Sequence, residues 1–229
     1  MTIRTNRIAP GIAPLNARVH PALWAMVGLW ALVQAAGDLA DMGLLPWALN
    51  TYTLRQLFAF HGEDFGFAMQ TLEAHPQLLW STVTYALLHG GWLHLGLNAA
   101  VFLALAHGIS RDAGIWPTMA MFAATAVAGA LAYGLIAGDR VALVGASGGV
   151  FGLLGVMTRW QTDWLKARGG SLEPIIARVL GLALINLLML FALPSVAWEG
   201  HLGGFLMGWV MGWVFPPRVR QSRDRDRFA

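Results

Sequence analysis

Six apolar stretches divide this chain, at roughly residues 20–37, 85–107, 115–137, 141–160, 174–193 and 197–215. Each is close to the ~20 residues a helix needs to cross the hydrocarbon of a bilayer. The constraint is severe. Within lipid every backbone N–H and C=O must be satisfied inside its own segment, so a chain of this kind folds as helices. Charge is correspondingly scarce, at 12% of residues against the roughly 25% of soluble domains. The connections around Arg111, around Asp139, over 161–173 and over Pro194–Val196 are short and force antiparallel neighbours. The expected fold is an all-α membrane protein, one six-helix bundle over 20–215 with a polar leader over 1–19 and a basic tail over 216–229. The first stretch runs into Val33-Gln34-Ala35, which could pass for a signal-peptide cleavage site. A retained helix is the expectation, because the six-span arrangement needs it.

Orientation follows from the cations. With the N-terminus in the cytoplasm, Arg4, Arg7, Arg18, Arg111, Arg159, Lys166, Arg168, Arg178 and the arginines from Arg218 to Arg227 fall inside, while Arg55 and Arg140 fall outside. That asymmetry obeys the positive-inside rule and predicts both termini in the cytoplasm. The Arg-rich tail reads as a topology anchor touching anionic lipid, with no nucleic-acid partner. The long connection 38–84 mixes Trp47, Leu49, Leu54, Leu57 and Phe58 with polar residues, as interfacial segments do. The absence of cysteine excludes disulfides, thiolate metal sites and cysteine nucleophiles.

Three short motifs interrupt the apolar stretches: His94-Leu95-Gly96-Leu97-Asn98, Gly145-Ala146-Ser147-Gly148 and Gly200-His201-Leu202-Gly203-Gly204. Ionisable and polar groups at membrane depth are costly and mark functional sites. The second, fourth and sixth stretches all enter from the outer side. Counted inward, His94 is about nine residues deep, Ser147 about six and His201 about four, which puts all three within ~6–14 Å of the outer boundary.

Helical periodicity puts His201, Gly204, Gly208 and Gly212 on one stripe, facing a fourth stretch that carries Gly145, Gly148, Gly149, Gly152 and Gly155. Glycines at such spacing let two backbones approach closely, within reach of a short side chain such as Ser147. A serine hydroxyl becomes a nucleophile when a neighbouring base takes its proton, and His201 is that base by residue type. His94 and Asn98 are i and i+4, so both can point at one developing oxyanion, and the Ser147 amide can join them. Glu199, two residues from His201, would face elsewhere on a helix. A Ser–His pair without a carboxylate is therefore expected.

The segments His89-Gly90-Gly91-Trp92-Leu93-His94-Leu95-Gly96-Leu97-Asn98, Gly145-Ala146-Ser147-Gly148-Gly149-Val150-Phe151-Gly152 and Gly200-His201-Leu202-Gly203-Gly204 resemble the rhomboid family of intramembrane serine proteases. The resemblance covers about residues 78–212 and implies a six-transmembrane-helix rhomboid-like bundle, N-in and C-in. It implies Ser147 as nucleophile, His201 as general base, His94 and Asn98 as oxyanion donors, and Phe151 as the aromatic that packs on the catalytic histidine. Gly145, Gly148, Gly204 and Gly208 are expected to serve helix packing. It also implies transmembrane protein substrates that enter laterally from the lipid, with no cofactor and no metal. Two positions depart from the family pattern: Trp80-Ser81 replaces a common Trp-Arg, and Gly200 replaces the alanine that commonly precedes the histidine.

Rival readings are weaker. A metal-dependent membrane protease would need His-Glu-x-x-His or cysteine ligands, and neither occurs. A transporter is disfavoured by the lack of an internal repeat. A silent relative that only binds transmembrane helices would tolerate loss of the serine, whereas every expected catalytic position is present. The expectation is a serine endopeptidase of a bacterial-type plasma (inner) membrane, its site opening to the extracytoplasmic side. The sequence leaves oligomeric state and substrate identity open.

Overall fold

The computed structural model describes residues 18–71, 73, 76–137, 142–192 and 197–217, with backbone alone for 188–192. Residues 1–17, His75, Asp139, Arg140, Pro194–Val196 and the arginines from Arg218 onward lie outside the described residues.

The described chain is helical, with one isolated antiparallel bridge between Phe60 and Leu143. Helix α1 spans Pro21–Asp41. His20 caps its start, the ring nitrogen accepting the Ala22 N–H at 3.1 Å, and Pro21 supplies a φ already suited to a first turn. Helix α1 runs unbroken through Val33–Ala35. Three short helices follow in the long connection: α2 (Thr51–Phe58), α3 (Gly62–Thr71) and α4 (Leu78–Thr84). Asn50 caps α2 by accepting the Thr53 N–H at 2.7 Å. The Trp80 indole and the Thr84 hydroxyl then fasten α4 to the C-terminal end of α2, donating to the Leu57 and Phe58 carbonyls at 2.8 and 2.9 Å.

The long helices α5 (Trp92–Ala113), α6 (Ile115–Ile136), α7 (Ser147–Lys166), α8 (Glu173–Ala192) and α9 (Trp198–Val214) complete the bundle. A single residue, Gly114 with φ of 98°, turns α5 into α6; that positive φ suits glycine. Helices α1, α5 and α6 are long and apolar enough to cross a membrane. Many large apolar side chains on the long helices point outward, among them Leu93, Trp116, Leu135 and Leu180, as lipid-facing residues do.

The core has two parts. Trp30 of α1, Phe102 of α5 and Phe122 of α6 meet edge-on or tilted at centroid distances of 5.1–6.1 Å, above Leu153, Met157 and Trp160 of α7. Phe60, Tyr85, Tyr133 and Leu143 form the second part, which clamps the long connection onto α6. Helix α9 packs most extensively against α7 and then against α6, while among the described residues α8 touches the rest of the bundle least of the long helices.

The helix starts correct the sequence reading. Helix α5 begins at Trp92 rather than near 85, and α7 begins at Ser147 rather than near 141. The residues before them are apolar but not α-helical: Tyr85–Leu87 form a 3-10 helix, and Gly91 and Gly145 take φ of 133° and 114°. Ser147 is thus the first residue of its helix, and a depth counted in helical rise does not apply to it.

Candidate active site

Glycine brings the three motif-bearing elements together. A Cβ on Gly204 would collide with the Gly148 carbonyl, one on Gly208 with the Gly152 carbonyl, and one on Gly155 with the Phe205 carbonyl. The α7–α9 seam is therefore backbone against backbone. Gly129 of α6 meets the same seam beside Gly200 and Gly148. The Thr125 hydroxyl of α6, which donates within its own helix to the Met121 carbonyl at 2.8 Å, lies 3.3 Å from the Gly149 carbonyl, and the Trp160 indole ties α7 to the Gly212 and Phe215 carbonyls at 3.0 Å.

At the start of that seam the Ser147 hydroxyl lies 2.9 Å from His201 Nε2. Phe151, one turn along α7, stacks on the His201 ring at 4.2 Å with an interplanar angle of 6°. Both ring nitrogens of His201 are engaged, because Nδ1 lies 2.7 Å from the Asn186 side-chain oxygen. No ring nitrogen is left for Glu199, which is buried two residues away.

His94 sits beside the turn that leads into Ser147. A Cβ on Gly145 would come within 2.9 Å of His94 Nε2, so the ring occupies the space a side chain would fill. Gly145 therefore belongs to a turn, and its expected place in helix packing is corrected. The turn is held by the Gly145 N–H donating to the Tyr85 carbonyl at 3.0 Å, while the Tyr85 hydroxyl donates to the Ala126 carbonyl at 2.8 Å. His94 Nδ1 accepts the Gly90 N–H at 3.2 Å. A neutral ring bonded in that way carries its proton on Nε2, the nitrogen beside Gly145. Asn98 follows one turn later and donates to the His94 carbonyl at 3.1 Å, leaving a second amide hydrogen. The first backbone bond of α7 runs from Val150 to Ala146, so the Ser147 amide stands outside the helical ladder.

Ser147, His94 and His201 are partly exposed, and Asn98 is buried. His89 is buried between Trp30 and His94, with ring centroids at 5.4 and 5.3 Å, a packing position. Ser81 is buried at the α4 position where an arginine is common. No cluster of potential metal ligands occurs among the described residues.

The structure brings together Ser147, His201 and Phe151, and sets His94 against the turn before Ser147. Asn186 and Tyr85 were not expected from sequence. Asn186 carried a legible signal, a carboxamide in an otherwise apolar stretch; Tyr85 carried none, since its function depends on a backbone contact.

The Rhomboid domain family model matches residues 76–218, well over half of the chain and all three motifs. The chain belongs to the rhomboid family. Among rhomboid relatives, it is 33% identical over 124 residues to human Rhomboid-related protein 3, covering 48% of this chain and 30% of the relative. It is 34% identical over 132 residues to RHOMBOID-like protein 5 of Arabidopsis thaliana, covering 56% and 41%. It is 31% identical over 120 residues to Rhomboid-type serine protease 2 of Emericella nidulans, covering 52% and 24%. The matched segment spans less than half of each of these rhomboid relatives. Rhomboid membership and the apolar helices make the chain a multi-pass membrane protein.

Proposed function

We propose that this rhomboid is an intramembrane serine endopeptidase that cleaves transmembrane segments of other membrane proteins near the outer face, with Ser147 as nucleophile and His201 as base. The observation that carries the reading is the 2.9 Å contact between the Ser147 hydroxyl and His201 Nε2. His201 takes the hydroxyl proton as Oγ attacks the scissile carbonyl carbon, and the carbonyl oxygen becomes an oxyanion. The Nε2–H of His94, the free amide hydrogen of Asn98 and the Ser147 N–H are the donors for that charge. Collapse expels the amine, which leaves with the proton from His201. A water molecule, deprotonated by the same ring, then hydrolyses the acyl-enzyme and returns the proton to Oγ. No cofactor enters, and the partial exposure of Ser147, His94 and His201 suits entry of water.

The accompanying architecture is six membrane crossings by α1, α5, α6, α7, α8 and α9 in a domain over 20–215, with both termini cytoplasmic and the site opening outward from a plasma (inner) membrane. The residues before α5, α7 and α9 would then lie outside and Arg111, Lys166 and Arg168 inside, in keeping with the positive-inside rule.

The test is cleavage of a single-span substrate by the purified protein in lipid, beside Ser147→Ala and His201→Ala. Loss in both folded variants is expected, together with labelling of Ser147 by a serine-reactive phosphonate. Cleavage that survives Ser147→Ala would overturn the mechanism. An inert, unlabelled parent would favour a rhomboid that only binds transmembrane helices.

A further inference from the structure

Asn186 lies on α8, outside all three motifs, yet its side chain makes the second hydrogen bond to the His201 ring. Its amide is itself fixed. Nδ2 donates to the Leu182 carbonyl one turn earlier at 2.9 Å, so Oδ1 is the atom turned toward His201. An amide oxygen only accepts. The ring nitrogen 2.7 Å away must therefore carry the proton, and a neutral imidazole has only one. Nε2 is left as a lone pair facing the Ser147 hydroxyl. The opposite tautomer would present a proton to Oγ and could not act as a base.

Building on the protease reading, we infer that Asn186 is a positioning residue that holds His201 in its Nδ1–H tautomer, as the far end of a Ser147–His201–Asn186 hydrogen-bonded chain. Phe151 and Asn186 constrain the ring in complementary ways. The stacked phenyl sets the plane of the imidazole, and the amide sets its rotation within that plane. When His201 accepts the serine proton, both ring nitrogens become donors and the Asn186 oxygen still accepts from Nδ1. The neutral amide orients the imidazolium without adding a buried carboxylate.

The test compares the parent, Asn186→Ala, Asn186→Asp and Ser147→Ala in lipid. Asn186→Ala should lower kcat by about 10- to 100-fold with KM within about twofold of the parent, because only the base is mis-set. Phosphonate labelling of Ser147 should slow in the same proportion. Asn186→Asp keeps an acceptor for Nδ1 but loses the donor to the Leu182 carbonyl, and should restore part of both rates relative to Asn186→Ala. With 15N-labelled histidine, the His201 signals should report a protonated Nδ1 in the parent and loss of that preference in Asn186→Ala. The inference is overturned if His201 is protonated on Nε2 in the parent, or if Asn186→Ala turns over within about twofold of it. If Ser147→Ala cleaves as fast as the parent, the protease reading fails instead, and the 15N tautomer alone then decides the place of Asn186.

Discussion

A hydroxyl differs from a nucleophile by the fate of one proton, and in the proposed mechanism that fate at Ser147 is set by one ring and the two side chains that hold it. His201 faces Oγ, Phe151 covers the ring, and Asn186 holds its far nitrogen. Removing the hydroxyl should abolish the chemistry while leaving the seam intact: Ser147→Ala is expected to lower turnover by about a thousandfold or more with unfolding unchanged. Phe151→Leu should lower it by about 10- to 100-fold through ring misplacement, and Phe151→Tyr should retain most of the rate; equal losses in the two variants would contradict a stacking role. At this scale Ser147, His201, His94 and Asn98 stand out as candidates because each breaks an apolar run in a patterned way. Asn186 breaks one too, but its target lies 15 residues on, past a connection whose path no periodicity reveals. Gly145 was misread because a glycine that serves a positive φ and one that serves a helix contact look alike in a string of letters.

Helix boundaries show the same limit. The stretch before α7 is as apolar as the helix itself, and hydropathy does not distinguish a descending turn from a first helical turn. The α7–α9 seam, in contrast, was readable from its glycine spacing, since close backbone approach needs those positions bare. Glycines at the seam and glycines elsewhere should respond oppositely to one added methyl. Gly208→Ala meets the Gly152 carbonyl and should destabilise by about 1–3 kcal/mol, with turnover falling in parallel as Ser147 and His201 part. Gly28→Ala, in α1 with open space around it, should gain about 0.5–1 kcal/mol from helix propensity. Thermal or denaturant unfolding of both variants checks the contrast, and equal effects would mean the seam is looser than its carbonyl contacts imply.

For the whole molecule, the succession of long apolar helices was legible from apolar lengths, while the fold of residues 38–84 was not. Those residues include three short helices, of which α4 is stapled to α2 by Trp80 and Thr84, and Phe60 pairs with Leu143 close to Ser147 in sequence. Such contacts depend on long-range geometry. The orientation yields a test suited to a chain without cysteine. Gln70→Cys, at an exposed position of α3, should react with an impermeant maleimide added outside intact cells. Ser171→Cys, between α7 and α8, should react only after permeabilisation, and the reverse pattern would invert the proposed topology.

The backbone seam has one more consequence. A distance between two side chains usually depends on rotamers, which soften with temperature and with the lateral pressure of the lipid. Between α7 and α9 the spacers are carbonyl groups and bare Cα atoms, which have no rotamers. The separation of the backbones that carry Ser147 and His201 is thus gauged by the hardest parts available to a polypeptide. Changes of lipid thickness should act on substrate entry and on α8, the least tightly packed long helix, well before they act on the spacing of Ser147 and His201.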